Sequence, residues 1–337
     1  MISTATIAAG VDFGDSALAG CVRERMSRIE DLIRSQLDHD VAGLSEAALR
    51  PFGRERRRIR PLMTVLCAQL GDKPDAWKVT AAGAATEMVY MATLHHDGVE
   101  DADEQVGCRS DDRWRNNLAI LAGDYLLASA SQVLSRLGPG AVATIAETFA
   151  QMMEGQMRIH SPSDGRDFGD EALRAVSAKT GSLITTAGRL GAMFGGVARQ
   201  DVDRITKLSG TIGFALQISD DIQELTGAAV PPETSPETSP ETTVDLSKLF
   251  YTLPAVYALQ ESGPRAARLR KLLRNAVDRD SRCEAVSLIR ASGGVTKAID
   301  VCTRYAADAD TELRRLPDGP ERYALVQLVE YVRKRCA

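Results

Sequence analysis

The chain has 337 residues, 44% hydrophobic and 26% charged, the make-up of a folded globular protein and not of a disordered one. Lys and Arg number 41 against 46 Asp and Glu, and the resulting formal charge of −5 argues against a dedicated nucleic-acid binder. Aromatics are scarce at 5%, and the six cysteines show no CxxC or CxxH spacing, so neither a β-sandwich nor a zinc or redox motif is signalled.

In chain order, the first residues lack a basic segment and carry Asp12 and Asp15, so no signal peptide is expected. No apolar run reaches the ~18 residues that cross a bilayer, and the reading is a cytoplasmic protein with reduced thiols and no membrane span. Apolar residues then recur at helical spacing almost throughout. Val22 to Leu37 places Met26, Ile29, Ile33 and Leu37 on one stripe. Pro61 to Leu70, Trp77 to Leu94 and Asn117 to Leu137 are apolar around much of their circumference, which suits helices inside a bundle. Further helices are predicted over Ala141 to Met157, Glu171 to Phe194, Val202 to Leu225, Thr252 to Leu259 and Pro264 to Val277. Arg282 to Ala291, Val295 to Leu316 and Glu321 to Arg335 complete the series. The expectation is an all-α fold, a single large helical domain over residues 1–337 with a central cavity. Residues 231–243 interrupt it with a PETS repeat whose four prolines forbid a helix, read as a flexible loop within the domain.

Two acidic clusters carry the chemistry. Leu94-His-His-Asp-Gly-Val-Glu-Asp101 ends an apolar helix, and the spacing of Asp97 and Asp101 puts both carboxylates on one face if the helix continues. Gln217-Ile-Ser-Asp-Asp-Ile-Gln-Glu224 repeats that spacing in Asp220 and Glu224. Neighbours such as Leu94, Phe214, Leu216 and Ile222 are not those of a solvated face. Hard carboxylate oxygens on two helices suit Mg²⁺ that must also hold a diphosphate. His96 is read as a packing or orienting residue for Asp97, Trp77 and Trp114 as ordinary anchors, and Arg54, Arg56 and Arg58 as solvated.

These residues resemble the trans-isoprenyl diphosphate synthase, or polyprenyl synthetase, family from about Arg50 to beyond Pro254. Arg57-Arg-Ile-Arg-Pro61 is similar to its G-G-K-R-L-R-P segment, and Asp97 to Asp101 to its first Asp-rich motif, DDxxD. Ala119-Ile-Leu-Ala-Gly-Asp-Tyr-Leu-Leu127 matches A-x-L-A-G-D-Y-L-L, and Gly213 to Asp221 resembles the second Asp-rich motif. Glu154-Gly-Gln156, Lys179-Thr180, Asp245-Leu246 and Thr252-Leu-Pro254 fall in the same order.

The resemblance implies a prenyltransferase of isoprenoid biosynthesis that ionises an allylic isoprenyl diphosphate. About three Mg²⁺ ions would be held by Asp97, Asp101 and Asp220, with Asp221 and Glu224 in support. Lys179, Thr180 and Gln217 would meet the allylic substrate, Arg57, Arg60 and Arg109 would serve anion binding, and Tyr90 would floor the substrate pocket or stabilise a cation. A homodimer is implied as well. Small Ala92 and Thr93, one turn before Asp97, imply an open pocket for C15–C20 or longer chains.

Departures from the pattern fall on basic groups. Tyr90 replaces a histidine, Asp103 to Arg109 replaces an Arg-Arg-Gly, and Leu249-Phe250 replaces a Gly-Lys, leaving Lys248 nearby. Losing two or three charge-assisted bonds, each roughly 1.5–3 kcal/mol, would weaken a second diphosphate by powers of ten. The acceptor is therefore left open between isopentenyl diphosphate and another nucleophile. A class I terpene cyclase or a non-catalytic partner subunit on the same frame are the alternatives.

Overall fold

The computed structural model describes residues 15–38, 43–54, 58–97, 99, 110–160, 178, 181–227, 252–275 and 279–336. Among them are thirteen helices and no strand, the all-α fold expected. In chain order these are α1 (Ser16–Leu37), α2 (Leu44–Arg54), α3 (Ile59–Ala68), α4 (Trp77–Asp97), α5 (Ser110–Ser135), α6 (Pro139–His160) and α7 (Ser182–Phe194). Then follow α8 (Arg199–Gly227), α9 (Leu253–Gln260), α10 (Pro264–Asn275), α11 (Arg279–Arg290), α12 (Gly294–Leu313) and α13 (Pro320–Cys336). The sequence pattern misses α2, whose Pro51 and Gly53 break the signal, and it starts α1 late. That helix begins where Asp15 caps it, Oδ1 accepting from the Leu18 N–H at 2.8 Å. The PETS repeat at 231–243 lies outside the described residues.

The chain divides into two compact units, one of residues 1–149, 183–209 and 317–327, the other of 150–182, 210–316 and 328–337. The first holds the largest fully buried side chains: Ile29, Ile33 and Leu37 of α1, Leu62, Met63 and Leu66 of α3, and Met88 and Met91 of α4. Leu126, Leu183, Leu190 and Ile205 join them from α5, α7 and α8. Helix α7 lies directly on the α3 backbone because Gly191 faces it, where an added Cβ would stand 2.2 Å from the Thr64 carbonyl oxygen. The second unit builds its core from Leu225, Ala255, Leu259, Leu269, Leu272, Val286 and Ile289. Phe214 meets Tyr305 edge-on there, with centroids 4.6 Å apart. Arginines close its helix ends: Arg290 Nε donates to the Leu225 carbonyl at 2.6 Å, and Arg270 Nη2 to that of Leu259 at 2.6 Å.

Two expectations change. Trp114 to Ser135 within α5 is, by length and composition, apolar enough to cross a membrane. It buries Ala122, Leu126, Ala130, Val133 and Leu134 in the first unit, where α4 and α5 pack together. Yet α5 is not wholly interior, since Trp114, Ile120 and Leu121 are exposed. Second, Arg58 is not solvated. It is 2% exposed, in the left-handed region at φ 41°, and ion-pairs with Glu30. Burial lowers its pKa against the pull of the Glu87 carboxylate.

Candidate active site

In the first unit, α3 and α4 set the anion-binding candidates. The turn at Arg58 starts α3, so Arg60 sits in its first turn, 4% exposed. Its guanidinium lies over the Tyr90 ring, Cζ 3.1 Å from the centroid. Two residues expected at the site separately are thus brought together, the tyrosine face holding the arginine plane. Ala92 and Thr93 are buried one turn before Asp97, and Thr93 Oγ1 donates to the Tyr90 carbonyl at 2.7 Å.

Asp97 is the last residue of α4. Val99 lies outside the helix, its N–H reaching the His96 carbonyl at 3.3 Å, and the spacing to Asp101 falls on residues outside those described. A carboxylate at this end faces the negative pole of the helix, so the position favours a cation beside it. His96 turns to α5, with Nε2 3.3 Å from Asp124 Oδ1. Gly123 makes room, since a Cβ there would stand 2.3 Å from His96 Nε2. The Gly-Asp of the Ala119 to Leu127 segment therefore seats the histidine. His95 Nε2 approaches the Ala48 carbonyl at 3.5 Å, and burial lowers the imidazole's pKa.

In the second unit, α8 carries Gln217, Asp220, Asp221 and Glu224. Asp221 is buried; its Oδ1 accepts from Gln217 Nε2 at 2.7 Å and its Oδ2 from the Leu253 N–H at 3.4 Å. Thr252 precedes α9 without capping it through its side chain, so Asp221 ties α8 to the start of α9. Asp220 differs: its side chain is 40% exposed and Oδ1 lies 2.6 Å from Arg335 Nη2. Nothing in the sequence singles out Arg335, which reaches Asp220 from the far end of the chain on α13.

Arg57, Asp101, Arg109, Lys179 and Thr180 lie outside the described residues, as does the side chain of Glu224. Among the described residues, no three His, Cys, Asp or Glu side chains gather into a metal cluster. The donors present still fit Mg²⁺, which takes hard oxygens and commonly one or two carboxylates, with phosphate and water completing its shell. Asp97 and Asp220 are such donors, one at a helix end that favours a cation and one already facing a cationic group.

The polyprenyl synthetase family model matches residues 42–289. The chain is 47% identical over 339 residues to the nonaprenyl diphosphate synthase of Mycobacterium tuberculosis, covering 99% of each chain. It is 41% identical to a dimethylallyltranstransferase of the same organism, over 97% of this chain and 98% of that one. Among solved structures, a geranylgeranyl pyrophosphate synthase from Corynebacterium glutamicum, complexed with calcium and isoprenyl diphosphate, aligns with a TM-score of 0.77. It is 34% identical and covers 96% of this chain and 99% of that chain.

Proposed function

We propose, for a chain that belongs to the polyprenyl synthetase family and is a prenyl transferase, that it elongates an allylic isoprenyl diphosphate with isopentenyl diphosphate. The observation that carries this choice of acceptor is the whole-length likeness, 47% over 99% of both chains, to a nonaprenyl diphosphate synthase. The loss of basic residues is met in part by Arg60, buried and stacked on Tyr90 where it is ordered before an anion arrives. Preorganisation of that kind recovers affinity by lowering the ordering cost of binding.

In this reading Asp97, Asp101 and Asp220 hold Mg²⁺, with Glu224 in support, and Lys179 and Thr180 bind the allylic diphosphate. Mg²⁺ would supply charge neutralisation for the departing diphosphate. Asp221 contributes by fixing Gln217 and the start of α9. Gln217, so oriented, presents its amide oxygen to the allylic carbon as positive charge develops. The allylic C–O bond breaks with its electron pair leaving on diphosphate, the double bond of isopentenyl diphosphate forms the new C–C bond, and the tertiary cation so formed gives a proton to the departed diphosphate, its C–H electrons becoming the new double bond. Arg60 holds the acceptor's diphosphate, with Arg57 and Arg109 as further cations. Ala92 and Thr93 leave room for a chain of C15–C20 or longer.

We place the reaction in the cytoplasm and the chain in a homodimer. The exposed apolar residues Trp114, Ile120 and Leu121 of α5 are the surface offered to a second copy. The test is inorganic pyrophosphate release from farnesyl diphosphate and Mg²⁺, with and without isopentenyl diphosphate. Release that requires both substrates and stops with a chelator is expected. Release from the allylic substrate alone would favour cyclisation, and none with any allylic donor would leave a non-catalytic subunit.

A further inference from the structure

The C-terminal helix brings a guanidinium to the second acidic segment and fixes it from several sides. Arg335 Nη2 lies 2.6 Å from Asp220 Oδ1, and Nη1 donates to the Tyr331 hydroxyl at 2.9 Å. The Arg335 carbonyl accepts from Gln223 Nε2 at 2.7 Å, which ties the end of α13 back to α8 one turn beyond Asp220. The next residue, Cys336, donates its Sγ–H to Cys302 Sγ at 2.9 Å and anchors the last turn on α12. All of these groups belong to the second unit. The arginine side chain is 11% exposed against 40% for the aspartate, so the cation is the enclosed partner and the carboxylate keeps its access to solvent.

We propose that Arg335 is a positioning residue for Asp220. Its guanidinium aims and neutralises the carboxylate until a divalent cation arriving with diphosphate takes its place. The inference rests on the reading of Asp220 as a metal ligand. A guanidinium and a divalent ion on one carboxylate repel each other, so a metal arriving alone must displace Arg335 without giving it a new partner. A metal arriving with diphosphate supplies that partner, because phosphate oxygens accept the freed N–H groups. Arg335 thus makes metal and diphosphate bind cooperatively at this carboxylate, and it discourages loading of the metal by itself.

The test is a titration of the full chain with Mn²⁺ followed by electron paramagnetic resonance, with and without inorganic pyrophosphate and with no prenyl substrate. In R335Q the affinity for Mn²⁺ alone should rise about three- to tenfold, and the gain on adding pyrophosphate should shrink by a similar factor. R335K should lie near the wild type. Y331F, which loosens the guanidinium without removing it, should move in the same direction as R335Q by about twofold, and it serves should R335Q fail to fold. D220N separates the two readings. If D220N leaves Mn²⁺ binding unchanged, Asp220 is no metal ligand and this role falls with that assignment. If D220N weakens Mn²⁺ binding while R335Q and Y331F match the wild type or bind less tightly, the positioning role alone is overturned.

Discussion

Replacing Arg58 by alanine should destabilise the first unit far more than its place in an arginine-rich stretch suggests. Its guanidinium is enclosed, pairs with Glu30, whose side chain is 11% exposed, and acts on Glu87, itself 1% exposed. Truncation strands those carboxylates in surroundings that cannot solvate them, and breaking a buried pair from one side costs about 3–5 kcal/mol. The backbone at φ 41° adds a second effect, since a left-handed non-glycine residue costs roughly 1–2 kcal/mol. Arg58→Gly should therefore be about 1 kcal/mol less harmful than Arg58→Ala. At roughly 1.4 °C per kcal/mol for a chain of this size, Arg58→Ala should lower Tm by about 4–7 °C in a circular dichroism melt at pH 7. Adding Glu30→Gln should recover part of the loss. A melt for Arg58→Ala within about 2 °C of the wild type would refute the buried pairing.

Two further outcomes follow. Ala92 is fully buried one turn before Asp97, so Ala92→Phe should shorten the longest polyprenyl product; unchanged product length in a variant that melts like the wild type would remove it from the pocket. Burial pushes the Cys67 thiol up to about 12, with Ser209 Oγ 3.3 Å away. The folded chain thus favours the neutral thiol: this contribution is fully present below the unfolded value near 9.0 and is lost as pH rises through about 12. At pH 9 iodoacetamide should label exposed Cys21 and spare Cys67, and comparable labelling of both would contradict the burial.

What the sequence made legible was periodic or local. The apolar repeat located α4 and α8, because helical spacing is written in neighbouring residues, and the resemblance to the family then marked Tyr90, Ala92, Asp97, Gln217 and Asp220 on them. Helix α4 runs three residues beyond the apolar pattern, to Asp97, because His95, His96 and Asp97 carry no apolar repeat to mark them. Helix α2 was hidden by Pro51. Arg58 read as one charge among many, since its burial depends on Glu30 and Glu87 from two other helices, α1 and α4. Arg335 was invisible for the same reason: only the packing of α13 brings it to Asp220. The resemblance ranked Asp220 above Asp221 as a ligand, and their surroundings differ. Asp220 faces a cation with access to solvent, and Asp221 is buried and accepts from Gln217 and from the Leu253 N–H at the start of α9.

Elongation is tested most directly by incubating the full chain with Mg²⁺, farnesyl diphosphate and radiolabelled isopentenyl diphosphate, then separating the dephosphorylated products by chain length. The expected result is label in prenyl alcohols longer than the donor, lost on chelation and on replacement of Asp220 by asparagine. Unlabelled hydrocarbon or alcohol formed from farnesyl diphosphate alone, with no label in any longer chain, would contradict it.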